Sequence, residues 1–420
     1  MSAKIHQVPL GELVELRNEK IVANKDRNLP YIGLEHIDQG QPRLLGHLPG
    51  DLSISANNIF CENDILFGKL RPNLRKSVRV TNTGYCSTDI LVLRALPGVA
   101  PSYAGHILQL EAVFNSASAS AEGTKMPRTS WSELSHFRVF KPDSESEQTR
   151  IARILDTADA LIAKSEAILS KLRQVRSGLL HDLLTRGLDA HGQLRDPAAH
   201  PEQFKDSPLG RIPREWEVEP LASLLQIVFD YRGRTPLKIG MDWGGGEIAA
   251  LSAMNVEMGQ VNFSKGTNFG SQALHDRWMT NGRTEKGDVL ITLEAPLGNV
   301  AQVPDDSLYI LSQRVVLLRP DPERVAKDYL AIVLAGNAFQ KELIRNSSGS
   351  TAVGIQRSKL EVIPIAFPLD VEEQIQIAAH LATHDRQIAS EQATLSKLRQ
   401  LKSGLMTDLL EGRVRAPEII

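Results

Sequence analysis

The sequence contains very little cysteine: Cys61 and Cys86 are the only two among 420 residues. Two thiols exclude a framework of several disulfides and a zinc site built from four cysteines. A single bridge between them is possible. Two ordinary buried thiols are the favoured interpretation, as expected in a reducing compartment.

Long apolar segments are also missing. No run of 18 apolar residues occurs, and the opening MSAKIHQVPLGELVEL lacks the apolar core of a signal peptide. We therefore expect a cytoplasmic protein. The formal net charge is only −2, so any surface that binds nucleic acid must be a local basic patch.

Catalytic motifs are a third absence. The sequence has no Gly-x-x-x-x-Gly-Lys-[Ser/Thr] phosphate loop and no Pro-Pro, which excludes the Asn-Pro-Pro-aromatic motif of adenine methyltransferases. None of its 18 lysines follows an acidic residue by two positions, so the acidic-x-Lys pattern of many nucleases is absent. We expect no catalytic residue, metal site or cofactor in this chain, and any chemistry must come from partners.

What the sequence does contain is a long internal repeat. Lys171–Leu184 reads KLRQVRSGLLHDLL and Lys397–Leu410 reads KLRQLKSGLMTDLL, at an offset of 397 − 171 = 226 residues. The same offset aligns Glu147-Gln148 with Glu373-Gln374. Two copies of a 38-residue segment, 147–184 and 373–410, indicate a duplicated architecture.

Both copies have the apolar spacing of a coiled coil. Ile, Leu and Ala recur at alternating steps of four and three residues over 151–183, and the seam of the second copy is the same set shifted by 226. The spacing predicts two helices of about 57 Å that pack antiparallel, and Gly187 suits the end of the first. Polar residues that interrupt the seams predict notches at Ser165, Arg176, His384, Glu391 and Lys402.

The segments before each copy are β-rich. Short runs of β-branched and aromatic residues alternate with Gly, Pro and Asn in residues 1–146, and residues 214–371 repeat that framework loosely with different loops. A helix is expected near Tyr103–Ser116. We predict an α+β fold with β-rich α/β domains at 1–146 and 214–371, helical segments at 147–187 and 372–413, and a polar linker or extended arm at 188–213.

A globular domain and a helix, each used twice, make a pseudo-dimer on one chain. Antiparallel pairing of the helices predicts a pseudo-twofold arrangement with the globular domains at opposite ends. Duplex DNA presents equivalent groove faces about every 34 Å. Two readers held at a fixed separation would suit two half-sites with a fixed gap between them.

The repeated KLRQ-x-x-SGL-x-x-DLL and the Glu-Gln helix starts resemble the specificity subunit of type I restriction–modification enzymes. So does Lys205–Pro213 followed by Trp216-Glu217-Val218, and the resemblance covers essentially the whole chain. Arg232–Pro236 is similar to the Gly-x-Thr-Pro element that opens a recognition domain in this family. The first domain lacks an evident Trp-Glu-Val start and a Gly-x-Thr-Pro element.

The resemblance implies two target-recognition domains that read a bipartite, asymmetric DNA sequence, one half-site each. It implies that the helices hold two adenine-methyltransferase subunits and that motor-endonuclease subunits complete the complex. S-adenosylmethionine, ATP and Mg²⁺ would be cofactors of those partners, and this subunit would be non-catalytic.

Local basic segments are the candidates for DNA contact. Residues 65–88 contain five cations and no acid, and residues 231–241 and 343–360 are likewise acid-free. Arginines suit guanine edges, lysines suit phosphates, and Asn346 and Gln356 are possible readers of adenine. The candidates are Lys69, Arg71, Arg75, Lys76, Arg79, Lys125, Arg128, Arg232, Arg234, Lys238, Arg345, Asn346, Gln356, Arg357 and Lys359.

The near-identity of the two helix ends indicates a second kind of site. A coiled-coil seam constrains only about two positions in seven, yet exposed positions are the same in both copies. This favours two equivalent docking sites for two copies of one partner. The candidates are Arg173, Gln174 and Asp182 in the first copy and Arg399, Gln400 and Asp408 in the second.

A protein–protein adaptor without DNA specificity is the alternative function. Acidic or apolar surface loops would have favoured it, whereas the predicted loops are basic. A self-sufficient nuclease or methyltransferase is disfavoured by the missing motifs.

Overall fold

The chain divides into two units in the computed structural model, which describes residues 6–22, 25–53, 55–123, 125–349 and 353–417. Unit 1 contains Met1–Ile168 and Glu391–Ile420, and unit 2 contains Leu169–Ser390. Each of two long helices therefore contributes one half to each unit.

Unit 1 is built from short strands followed by helices. Its strands are β1 Gln7–Pro9, β2 Val14–Leu16, β3 Lys20–Ile21, β4 Pro30–Ile32, β5 Leu48–Pro49, β6 Asn57–Phe60, β7 Ile65–Gly68, β8 Ser77–Arg79, β9 Gly84–Ser87, β10 Ile90–Ala95 and β11 Arg138–Phe140. Its helices are α1 Pro101–Ile107, α2 Glu111–Ala119, α3 Trp131–Leu134 and the first half of α4, Glu145–Arg186.

The four-stranded sheet β2-β10-β7-β8 lies at the centre of unit 1. Successive residues of a strand point to opposite faces, so Ile65 and Phe67 join one core with α1 and α2, while Leu66 joins another beneath the five-stranded sheet β3-β6-β9-β4-β5. Because both faces are covered, the strands are continuously apolar and not alternating. The helix predicted near Tyr103–Ser116 is instead two helices, because Leu110 has extended backbone (φ −57°, ψ 135°) that a helix cannot include.

Unit 2 repeats this plan with larger additions. Its strands are β12 Phe204–Ser207, β13 Gly210–Pro213, β14 Trp216–Pro220, β15 Leu225–Phe229, β16 Ile248–Leu251, β17 Val256–Glu257, β18 Gln260–Val261, β19 Phe269–Gly270, β20 Val289–Leu293, β21 Leu297–Gln302, β22 Ile310–Leu311, β23 Val315–Pro320 and β24 Pro364–Pro368. Its helices are α5 Gln272–Trp278, α6 Lys327–Ala335, α7 Asn337–Arg345, α8 Arg357–Glu361 and the first half of α9, Val371–Leu410.

The central sheet of unit 2, β15-β23-β20-β21, has the strand order of its counterpart in unit 1. The pair β14-β24 corresponds to β1-β11, and the parallel pair β16-β22 corresponds to β4-β9. Alternate residues of β20 again enter two cores, Val289 and Ile291 on one face and Leu290 on the other. The repeated sequence framework thus folds into a repeated α+β scaffold, as predicted.

The long helices pack antiparallel within each unit. In unit 1, Lys402 forms an ion pair with Asp159, and Ser165 donates a hydrogen bond to Glu391. In unit 2, Nη2 of Arg176 lies 2.9 Å from Oδ2 of Asp385. The predicted polar notches therefore hold polar pairs, and all predicted seam positions are buried or partly buried.

Residues 188–213 have more structure than the predicted linker. Strands β12 and β13 form an antiparallel hairpin, and Leu188, Phe204 and Ile212 are buried. The polar, proline-containing sequence hides this because only a few apolar residues fix the segment on unit 2.

Cys61 and Cys86 are both free thiols. Cys86 is buried, which raises the pKa of its thiol well above the ordinary value, and Cys61 is only partly buried. Among the helices that the structure describes, none is long and apolar enough to cross a membrane.

Candidate nucleic-acid interface

The cations of the first basic segment of unit 1 lie in the loop between β7 and β8 and at the end of β8. Residues 127 and 128 pack beside this loop: Leu70 and Arg128 form an isolated β-bridge, and the Arg71 amide donates to the Pro127 carbonyl at 2.8 Å. Arg71 and Arg75 both have left-handed backbone (φ 51° and 50°), which turns the loop sharply at Pro72–Leu74. Two predicted basic segments, 54 residues apart between Arg71 and Lys125, therefore meet in one place.

Three of the five cations in this segment have partners inside unit 1. Lys76 Nζ donates to the carbonyls of Leu34 and Ile37 at 2.7 and 2.8 Å, Arg79 donates to Asn63, and Arg75 forms an ion pair with Glu111. A lysine whose ammonium group donates hydrogen bonds to two backbone carbonyls stabilises the fold and is not free to contact a phosphate. Lys76 and Arg79 are therefore poorly suited to the predicted phosphate contact.

Lys69, Arg71 and Lys125 form the remaining basic surface of unit 1, called surface 1 below. Arg71 and Lys125 are exposed and Lys69 is partly buried. Within the described part of the chain, none of these three side chains has a hydrogen bond or an ion pair. Arg128 is exposed but occupied by Asp89, with Nε–Oδ1 at 2.9 Å, and Thr124 lies outside the described residues.

In unit 2, residues 231–241 place their cations differently. Arg232 is fixed by a two-point contact with Asp230 (2.9 and 2.7 Å). Lys238 Nζ donates to the Gly233 carbonyl at 2.7 Å. Arg234 is exposed, lies over the Tyr231 ring at 5.0 Å and donates to the Trp278 carbonyl at 3.1 Å. The ring and carbonyl hold the Arg234 guanidinium in a fixed orientation at the surface.

The second basic segment of unit 2 is partly committed to the fold. Asn346 donates to the Glu342 carbonyl at 2.8 Å, which occupies the amide predicted to read adenine. Arg345 and Arg357 form ion pairs with Glu342 and Glu361 on their own helices. Gln356 and Lys359 are exposed, and in the described ranges their side chains have no partner. Of the loop between Asn346 and Thr351, Ser350 and Thr351 lie outside those ranges.

A cleft of about 430 Å³ lies next to Arg234 in unit 2. Its lining includes Thr235, Trp243, Met254, Asn268, Gln313 and Arg314. Arg314 is exposed in left-handed backbone (φ 64°), with Nε 3.1 Å from Glu294. Arg314 was not predicted because the nearest cations in the chain, Lys286 and Arg319, do not form a basic segment with it. The only signal was its position at the start of the repeated strand, where unit 1 has Asp89.

The predicted docking residues lie on the long helices. Arg173, Gln174, Gln400 and Asp408 are exposed, and Asp182 is partly exposed with Arg186 at 3.9 Å. Arg399 is exposed and forms an ion pair with Glu166 at 2.7 Å. Their role as docking residues stays a prediction.

His380 and His384 have a helical spacing that would allow both imidazoles to bind one metal ion. This pair is not among the predicted sites. Over the described ranges, however, no group of three or more His, Cys, Asp and Glu side chains is placed to hold a metal.

Residues 213–400 match the family model described as the type I restriction modification DNA specificity domain. The type I restriction enzyme MjaVIII specificity subunit of Methanocaldococcus jannaschii is 26% identical over 303 residues, 71% of this chain and 67% of that protein. The putative MjaX specificity subunit of the same organism is 26% identical over 287 residues, which span 67% of this chain and only 60% of that relative.

Two solved structures share the fold. The S subunit of a type I restriction–modification system from M. genitalium has a TM-score of 0.59 at 14% identity, covering 100% of this chain and 98% of that one. A chain from a structure of the assembly and conformational transition of the type I R-M system has a TM-score of 0.54 at 19% identity, with 96% and 97% covered.

The class of protein is therefore a duplicated α+β scaffold in which residues 213–400 are similar to a DNA specificity domain. These findings support the resemblance drawn from the sequence: residues 213–400 match the DNA specificity domain, and most of the chain is similar to type I specificity subunits in sequence and fold.

Proposed function

We propose that the chain reads a bipartite, asymmetric DNA target, one half-site per unit. Surface 1 is the observation that carries this proposal, because three cations without partners among the described residues converge from separate loops of a chain with a net charge of −2. Unpaired surface cations are the groups that release counterions when they meet phosphates. In unit 2, Arg234 and Arg314 line one cleft, and Lys359 is a further exposed cation.

The chemistry of the complex is assigned to partner subunits. Two methyltransferase subunits would dock on the repeated residues of α4 and α9, and motor-endonuclease subunits would join them. S-adenosylmethionine, ATP and Mg²⁺ would bind to those partners, and this chain would supply recognition without catalysis.

The test is to purify the chain with its cognate methyltransferase subunit and to map methylated adenines on random-sequence DNA. A split, asymmetric motif with one fixed gap is the expected result. Methylation at one contiguous half-site would show that only one unit reads DNA. Failure to form any complex would contradict the docking role and favour the adaptor function.

A further inference from the structure

The first turn of each long helix contains a glutamine that is buried in its own unit. In unit 1, Gln148 is 1% exposed, and its Oε1 accepts a hydrogen bond from the Ala100 amide at 2.9 Å. Its Nε2 lies 3.3 Å from the Pro142 carbonyl and 3.4 Å from the Gly98 carbonyl. Ala100 is the N-cap of α1, and Pro142 follows β11. One side chain thus joins the helix to two segments of the globular part.

Gln374 makes the same contacts in unit 2. It is fully buried, its Oε1 accepts from the Ala326 amide at 2.8 Å, and its Nε2 donates to the carbonyls of Pro368 and Arg324 at 2.8 and 2.9 Å. All three partners lie 226 residues after their counterparts, and Ala326 is the N-cap of α6. The contact set is therefore duplicated atom for atom.

The repeated glutamine contacts are more specific than the repeated apolar contacts of the coiled-coil seam. Seam residues are interchangeable apolar groups, whereas each glutamine uses both its acceptor and its donors on backbone atoms at fixed positions. A buried amide that satisfies several backbone groups fixes direction as well as distance, because hydrogen bonds weaken steeply when their angles change. The loops around the two glutamines differ, but the direction in which each helix leaves its globular part is held by the same bonds.

We infer that Gln148 and Gln374 are positioning residues that set the gap between the two half-sites. This inference rests on the proposed bipartite function. Neither side chain touches the solvent surface where DNA would bind, so each acts only through the orientation of a long helix relative to the recognition surface of its own unit. A change of one base pair moves a half-site by about 3.4 Å and turns it by about 35°. If the connection between helix and globular part is rigid, a target whose gap differs by one base pair is bound poorly. If the connection is loosened, such a target is tolerated.

The test uses the complex of the full chain with its methyltransferase and a set of targets whose gap differs from the optimum by one base pair in either direction. Gln148→Met and Gln374→Met keep the length and helix propensity of the side chain but remove every hydrogen bond. We expect the ratio of methylation rates between the optimal gap and its neighbours to fall by about tenfold, with the bases read in each half-site unchanged. Gln387→Met, an exposed position on α9, is the matched control and should leave the ratio intact.

A folded Met variant that keeps the sharp gap preference of the natural chain would overturn the inference. If the Met variants do not assemble, Gln148→Glu and Gln374→Glu take their place, because a carboxylate keeps the acceptor for the N-cap amide and loses the donors. Unchanged gap selectivity in those variants would equally contradict the inference. Failure of the proposed function is a separate result, since the natural chain would then show no split motif at all.

Discussion

The two units hold the glutamate that precedes each of these glutamines in very different ways. In unit 2, Glu373 is buried with Arg195, whose guanidinium lies 2.7 and 3.1 Å from the two carboxylate oxygens. Glu373 also accepts from Trp216 Nε1 at 3.1 Å and from the Leu188 amide at 2.9 Å. In unit 1, the ion pair of Glu147 is with Arg415 at 2.8 Å, and the arginine side chain is 52% exposed. The two glutamate side chains are similarly buried, at 9% and 12% exposed, but the partner arginine is buried in unit 2 (8% exposed) and half exposed in unit 1.

The repeat therefore preserves the hydrogen-bond partners of the glutamine in both units, but it does not preserve the environment of the glutamate or its contribution to stability. The glutamine contacts are the same in both units, while the glutamate depends on the segment that follows the other helix, residues 187–195 in one unit and 411–415 in the other. Close packing in unit 2 also explains Gly187: it has φ +63°, and a Cβ there would lie 2.4 Å from Glu373 Oε1 and 2.7 Å from the Trp216 ring. Only glycine fits that position without movement of its neighbours.

The largest expected effect separates these two glutamates. Glu373→Ala leaves the buried Arg195 guanidinium with only the exposed Glu215 carboxylate at 3.3 Å, and should lower the free energy of unfolding of unit 2 by about 3 kcal/mol. Glu147→Ala removes a single ion pair whose arginine is half exposed, and should cost about 1 kcal/mol. Urea unfolding followed by tryptophan fluorescence measures both changes. Equal losses in the two variants would contradict the comparison.

The next largest effect concerns surface 1. Lys69→Glu, Arg71→Glu and Lys125→Glu together should weaken DNA binding about 100-fold at moderate salt and lower the slope of log K against log salt by about 3, since each phosphate contact contributes about 0.9. Fluorescence anisotropy over a salt series gives both quantities. Lys20→Glu, an exposed charge on β3, is the control. Lys76→Glu should destabilise unit 1 because the ammonium group bonds two carbonyls; loss of DNA affinity at unchanged stability would contradict that assignment.

A smaller effect distinguishes the half-sites. Arg234→Ala or Arg314→Ala should reduce discrimination at one or two base pairs by about tenfold, the amount typical of one arginine–guanine contact, and should leave the half-site read by unit 1 unchanged. Competition binding with single-base variants of the target measures this. Uniform weakening over the whole target would show that both arginines contact phosphates only.

The smallest effect is a pH-dependent one in unit 2. A hydrogen bond from Arg324, and a second from Ser223, lower the pKa of Glu219 below its ordinary value of 4.5. A carboxyl with a lowered pKa stabilises the folded state above its unfolded pKa, about 4.3, and this contribution is lost as the pH falls through the folded value. Glu219→Gln should therefore cost about 0.5 kcal/mol at pH 7, because both side chains are about one-third exposed and the ion pair is screened.

Urea midpoints from pH 3 to 7 measure this difference, which should close below about pH 4. Unit 1 has Gly98 at the position that corresponds to Arg324, so no matching effect is expected there. A stability difference that is independent of pH would contradict an ionic role for Glu219.

Much of the scaffold could be predicted from the sequence because it depends on periodicity. The predicted segments 147–184 and 373–410 lie inside Glu145–Arg186 and Val371–Leu410. The seam positions and the paired strands β7 and β10 follow equally from local apolar patterns. The hairpin of β12 and β13 does not, since few apolar residues mark it.

The candidate interface was only partly predictable, because a charge run does not show which charges are already paired. The acceptors of Lys76 are backbone carbonyls about 40 residues away in the chain, and the partner of Arg75 is Glu111 on α2. Only the structure shows that Lys69 and Arg71 are unpaired among the described residues, whereas the neighbouring cations are paired. Arg314 lies outside the basic segments of the sequence, and only the fold brings it to the same cleft as Arg234.

The most direct test of the two-reader account is selection of bound duplexes from random DNA by the methyltransferase complex, with the natural chain and with the triple variant of surface 1. The account predicts a split motif for the natural chain. For the variant it predicts loss of information in one half, with the other half and the gap retained. A contiguous motif, or equal loss in both halves, would contradict it.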